Sequence, residues 1–185
     1  MLKSGWFWLS FALAVFWALG AYNRLVRLRA AVGQQFISLE SVLLQYQEVV
    51  QQAVTSASTS PQLWANTYSA ESDVDPWTRL QVCAGLLTVA MARMQTHPLE
   101  HESSQSLQDA FTALEQAWSS LIHPDAFYVN VPDALQQRWL GLDLLVQPEV
   151  QRFNACVIDY NHAIGQYPAA LLAKLFQFHP ARPLA

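Results

Sequence analysis

A chain of 185 residues with a formal net charge of −4, 52% hydrophobic and 13% charged, has room for one domain plus an appended segment. It is too apolar and too poor in charge to be disordered, an acidic tail or collagen-like. Six Gly and nine Pro are too few for the turns of an all-β fold or for glycine-rich phosphate loops, and eight Arg and two Lys, scattered among acids except at the N-terminus, leave no basic stripe for nucleic acid.

Between Lys3 and Arg24 stand twenty uncharged residues, SGWFWLSFALAVFWALGAYN. A helix of that length covers the roughly 30 Å hydrocarbon core of a bilayer. Trp6 and Trp8 at one end and Tyr22 at the other sit where amphipathic rings prefer the headgroups, while Trp17 lies deeper. The pattern reads as a retained single-pass anchor with residues 5–22 in the lipid bilayer. The alternatives are a cleaved signal, with Ala18 and Gly20 as the small residues at its cleavage site, and a buried core helix. Arg24, Arg27 and Arg29 follow, with no acid before Glu40. They oppose export of a new N-terminus, and the positive-inside rule places the body of the protein in the cytoplasm.

Beyond the span, apolar residues recur at Leu25, Leu28, Val32, Phe36, Leu39, Leu43, Tyr46, Val50 and Ala53, one face of a helix lasting to about Ser58. TSASTSPQ closes it, and Pro61 opens a loop reaching Asp75. Asp75 as N-cap and Pro76 at the first helical position start a second helix, striped by Trp77, Leu80, Ala84, Leu87, Met91 and Met94. Leu107, Phe111, Leu114, Trp118 and Leu121 form a third stripe that ends before His123-Pro124. Pro132 introduces the fourth, running from Leu135 through Trp139, Leu142, Val146, Val150, Phe153, Val157, Tyr160 and Ile164 to Tyr167. Pro148 inside it predicts a kink near Leu144 to Pro148, or two abutting helices.

Four stripes that cannot bury themselves alone predict an all-α fold: an N-terminal transmembrane helix continuing into an antiparallel up-and-down four-helix bundle. The organisation expected is an anchor over 1–23, a bundle over 24–167 and a short apolar C-terminal segment over 168–185. Helix parity returns the fourth helix to the membrane side. The segment PAALLAKLFQFHP should then cap that end of the bundle or touch lipid. The alternative is that it folds back along the bundle and fills a groove.

Two stretches resemble the LemA family of bacterial membrane-anchored proteins. One is AYNRLVRLRAAV, directly after the span. The other is RFNACVIDYNHAIGQYPAALLAKLFQFHP, with Phe153-Asn154, Tyr160-Asn161, Ile164, Tyr167-Pro168, Leu175-Phe176 and Phe178 in the family's order. Where the family carries a Trp, a basic cluster and an Asp-Leu-Ile-Pro-Asn-Leu run, this chain has Phe36 and LLQYQEVVQQAV, which makes it similar to a diverged member. The resemblance implies a single-pass helical-bundle protein of the bacterial inner membrane with no established enzymatic activity, and the chain is read as a non-enzyme. It also implies an unidentified protein partner, a membrane zinc metalloprotease among them, or work in membrane organisation.

Chemistry-bearing residues are sparse. His97-Pro-Leu-Glu100-His101 has the H-x-x-E-H order of inverted zincins, which makes a metal-dependent peptidase a remote reading. Pro98 between the histidines breaks the helical geometry, so the stretch reads as a polar helix start with Leu99 to Glu102 as its first turn. His162 falls beside the fourth stripe and reads as solvated, and His123 and His179 precede prolines as turn residues. Cys83 and Cys156, 73 residues apart, fit neither a disulfide scaffold nor a zinc ribbon. They read as small hydrophobes, with a bridge only if the second and fourth helices meet. No catalytic, metal or cofactor-binding residue is assigned. The residues singled out for interaction or register are Asn23, Arg24, Arg27, Asn154, Tyr160, Asn161, Phe176 and Phe178. Of these, Asn154 and Asn161 lie seven apart on one helix face and are expected to fix register by hydrogen-bonding a neighbouring helix, with a ligand site as the alternative.

Overall fold

The computed structural model describes residues 2–59, 75–122, 131–167 and 169–184. The loop expected around Pro61, the His123-Pro124 turn and Pro168 lie outside the described residues. Five helices follow in order: α1 (Leu2–Thr59), α2 (Pro76–Thr96), α3 (His101–Ile122), α4 (Asp133–Gly165) and α5 (Ala169–Leu175). Among the described residues there is no strand.

The predicted stripes are the core. Leu25, Val32, Phe36, Leu39, Leu43, Tyr46, Val50 and Ala53 of α1 are buried, with Leu28 packed against them. Trp77, Leu80, Leu87, Met91 and Met94 of α2 meet them, as do Leu107, Leu114, Trp118 and Leu121 of α3 and Leu135 to Ile164 of α4. Tyr167, the last residue of the predicted fourth stripe, is exposed instead, because α4 ends at Gly165 and the chain has turned out of register there. The start of α2 is set as the spacing predicts: Pro76 stands in the first turn, and the Asp75 carboxylate accepts from the Thr78 amide at 3.1 Å. This satisfies one of the orphan N–H groups of a helix start.

Helix α4 runs as one 33-residue helix through Pro148, not as two abutting helices, since its apolar face is continuous on both sides of the proline. The start of α3 also differs from the prediction. Helix α2 ends in a C-cap at His97, whose amide donates to Arg93; Pro98 and Leu99 form a turn, and α3 begins at His101. Proline fits this turn because its missing N–H has no ladder partner to serve.

Helix α1 packs against α4 and α2, and α2 against α3, the neighbour order of an up-and-down bundle. Between α3 and α4 the rings of Trp118 and Trp139 stack with centroids 4.3 Å apart and planes 5° from parallel. Tyr46 meets Trp139 edge-on at 4.7 Å and Phe111 at 5.2 Å. With 21 and 22 residues, α2 and α3 stop short of α1 and of the 33-residue α4 at the N-terminal side of the bundle. Helix α5 packs against α1 and α4 at that end. The predicted capping and the predicted fold-back thus both occur, in succession: α5 sits beside α1, and the chain after it runs back along α4.

Candidate functional site

The return of the chain after α5 is built from a helix C-cap. Gln177 adopts a left-handed backbone, φ 55°, and the Phe178 amide donates to the Ala173 carbonyl at 2.8 Å. This is the six-to-one bond of a Schellman motif, in which glycine is the usual reversing residue. From there Phe178 to Leu184 runs antiparallel to α4 without secondary structure of its own. Its composition explains why. Pro180 and Pro183 each lack an N–H and hold φ near the polyproline value, and that conformation repeats every three residues. Ala181 and Leu184 therefore face one way with Phe178, and they are the buried residues of the tail, while Pro180, Arg182 and Pro183 are exposed.

Two asparagines hold this segment. Asn161 accepts from the Ala181 amide at 2.8 Å and donates to the Ala181 carbonyl at 2.7 Å. Asn154 does the same with Leu184, both contacts at 2.7 Å. A carboxamide offers one acceptor and two donors, so each reads one residue's amide and carbonyl together. The Tyr160 hydroxyl adds a third tie, donating to the His179 carbonyl at 3.2 Å. Burial pushes the Tyr160 hydroxyl's pKa up, against a lowering pull from the Arg29 guanidinium, so it stays a donor. The expectation for Asn154 and Asn161 is corrected here: their partners are the backbone of the tail and not a neighbouring helix. The reason is that α3, packed on α2, leaves a gap beside α4 which the tail fills. Beyond Leu184 this gap continues as a cavity of about 290 Å³, lined by Leu39, Leu107, Phe111, Glu115, Val146, Gln147 and Asn154 among others.

At the N-terminal end, Trp17 meets Tyr167 at 5.9 Å, and Tyr22 meets Phe176 at 5.1 Å and Phe178 at 6.5 Å. A cavity of about 730 Å³ opens there between α1 and the end of α4, lined by Leu13, Phe16, Trp17, Arg24, Gln166 and Tyr167. Of the residues singled out from sequence, the structure brings together Phe176 and Phe178 at Tyr22, and Asn154, Tyr160 and Asn161 along the tail. Asn23, Arg24 and Arg27 are exposed on α1, apart from the tail contacts.

The H-x-x-E-H stretch borders a third cavity of about 540 Å³ with Arg29, Tyr160 and His179. His97 Nδ1 lies 3.3 Å from Glu100 Oε1, and His101 Nε2 lies 3.4 Å from Arg182. Among the described residues, no three His, Cys, Asp or Glu side chains are grouped to hold a metal ion. Cys83 and Cys156 are both free thiols.

Sequence reasoning missed the polar cluster around Tyr46. The Tyr46 hydroxyl donates to Asp143 Oδ1 at 2.6 Å, and the Asp143 charge also acts on Glu115. Burial first and the Asp143 hydrogen bond second drive the Tyr46 pKa up; burial first and the Asp143 charge second raise that of Glu115. The available signal was Asp143 directly beside the stripe residue Leu142. No protein family, curated protein or solved structure matches this chain.

Proposed function

We propose that the chain is a single-pass, membrane-anchored helical-bundle scaffold that works by binding another protein and performs no catalysis of its own. The observation that carries this reading is the state of the first third of α1. It is long and apolar enough to cross a membrane, and only 6% of its most apolar window is buried inside the protein. A core helix would have that window covered. Here Trp8, Leu9, Phe11, Leu13 and Phe16 are exposed, an area that water would penalise and lipid would accept. Leu171, Leu175 and Phe176 of the C-terminal segment are exposed as well, and Phe176 lies against Tyr22, at the level where an aromatic belt meets the headgroups. The three arginines after the span favour a cytoplasmic body, and the LemA resemblance favours the bacterial inner membrane and a membrane metalloprotease or membrane-organising machinery as the setting.

The test is alkaline carbonate washing of membranes from cells producing the full chain, with N-terminal sequencing of the retained protein. Retention with Met1 to Gly20 in place is the expected result. Release into the soluble fraction, or a mature chain beginning after Gly20, overturns the anchor in favour of an exported binding module.

A further inference from the structure

The seat of the C-terminal tail has the features of a site that reads an extended main chain. Asn161 and Asn154 are seven residues apart, a rise of about 10.5 Å along an α-helix. The residues they grip, Ala181 and Leu184, are three apart, about 9.3 Å in a polyproline conformation. The two repeats nearly coincide, so a carboxamide placed every seven residues on α4 meets the backbone of every third residue of such a strand. Both contacts go to amide and carbonyl groups, which every residue but proline carries, and the prolines stand at the positions the asparagines do not read. The seat is therefore indifferent to most side chains and selective for a proline-spaced strand with an apolar residue at each gripped position.

The series continues past the tail. Seven residues before Asn154 stands Gln147, a third carboxamide on the same heptad position, and it lines the 290 Å³ cavity into which Leu184 leads. The walls of that cavity are apolar at Leu39, Leu43, Phe111, Val146 and Val150, and Glu115 stands among its lining residues. An apolar side chain followed by a basic one matches this arrangement.

We infer that the α3–α4 groove is a docking site for an extended, proline-spaced peptide segment of a partner protein. The segment carries apolar residues at every third position and a basic residue after the last. Among the described residues, the chain's own tail fills two of the groove's three registers, at Ala181 and Leu184, as an internal ligand that a partner segment displaces. The recognition logic is that of polyproline-reading grooves, where a preformed strand loses little entropy on binding. This inference rests on the interaction-protein reading, but not on the membrane anchor.

The experiment uses fluorescence anisotropy with the full chain in detergent micelles and a variant ending at Phe176. The probes are two labelled synthetic peptides, QFHPARPLA and QFHPARPLAPLK, both amidated. The truncated variant should bind both, the longer about tenfold tighter through the third register. Asn154→Ala with Asn161→Ala should weaken both peptides by at least about tenfold, and Gln147→Ala should remove only the advantage of the longer one. For the intact chain, saturating longer peptide should accelerate hydrogen exchange at the amides of Ala181 and Leu184, which keeps the test decisive if truncation prevents folding. Equal affinity of the two peptides overturns the third register. Unchanged exchange at both amides overturns displacement. Tails that instead exchange between labelled copies of the intact chain, without response to peptide, would make a second copy the occupant and refute a partner segment. A chain retained in membranes that binds neither peptide refutes this inference and leaves the anchor standing.

Discussion

Tyr46→Phe removes one oxygen from the middle of the bundle and nothing else. The ring keeps its edge-on contacts with Trp139 and Phe111, so no cavity forms, and the loss is confined to the 2.6 Å hydrogen bond to Asp143. A bond to an ionised carboxylate contributes about 1.5 to 3 kcal/mol. Partial access of water to Asp143 offsets some of this, and about 2 kcal/mol is expected. Thermal and urea unfolding of the full chain in detergent, followed by circular dichroism, measures it. Glu115→Gln provides the complementary test. Burial first and the Asp143 charge second raise its folded pKa above the ordinary carboxylate value, so the charged form is disfavoured by folding. That penalty is absent below the unfolded pKa and grows as pH rises through the folded one. Glu115→Gln should therefore stabilise at pH 7, by about 0.5 kcal/mol given how strongly solvent screens a half-exposed charge, and the gain should vanish near about pH 4. A Tyr46→Phe cost under about 0.5 kcal/mol, or a Glu115→Gln gain that persists in acid, would refute the assigned coupling of these three groups.

Trp118→Ala and Phe153→Ala should each cost about 3 to 5 kcal/mol, because Trp118 is only 2% exposed and stacked on Trp139 while Phe153 is fully buried against Phe36; unfolding midpoints under the same conditions check both. Gln177→Gly should stabilise the tail's return by about 1 kcal/mol, since it relieves the left-handed backbone of a residue with a Cβ, and slower amide exchange at Phe178 is the readout.

The four-helix architecture was legible because its information is local. Leu25 to Ala53 and Leu135 to Ile164 repeat at helical spacing, and Asp75-Pro76 carries its own cap chemistry, so no long-range contact is needed to read them. The start of α3 was misplaced by two residues because Leu99, Glu100 and Glu102 look equally suited to a first turn, whereas Pro98 and Leu99 form the turn after α2 and the helix begins at His101. Asn154 and Asn161 were visible as a pair on one face. Their partners were not, because a free carboxamide does not encode whether a helix or a strand will meet it. The three-residue period of Phe178, Ala181 and Leu184 between Pro180 and Pro183 was present in the sequence but has meaning only once α4 supplies a matching repeat. Asp143 with Glu115 was least legible of all, since two carboxylates on different helices become neighbours only through the bundle.

The first helix passes from its exposed apolar third into the core without a break. Its 58 residues extend roughly 87 Å, with no proline and no change of helix type among them. On the proposed reading, part of this rod floats in lipid and the rest is the spine of the bundle, so the two cannot move independently. A span that tilts by about 20° to match a thinner bilayer swings the far end of the 36 residues from Arg24 to Thr59, roughly 54 Å away, by roughly 18 Å. Bilayer thickness thereby acts on the bundle as a lever acts on its load, carrying the α3–α4 groove with it.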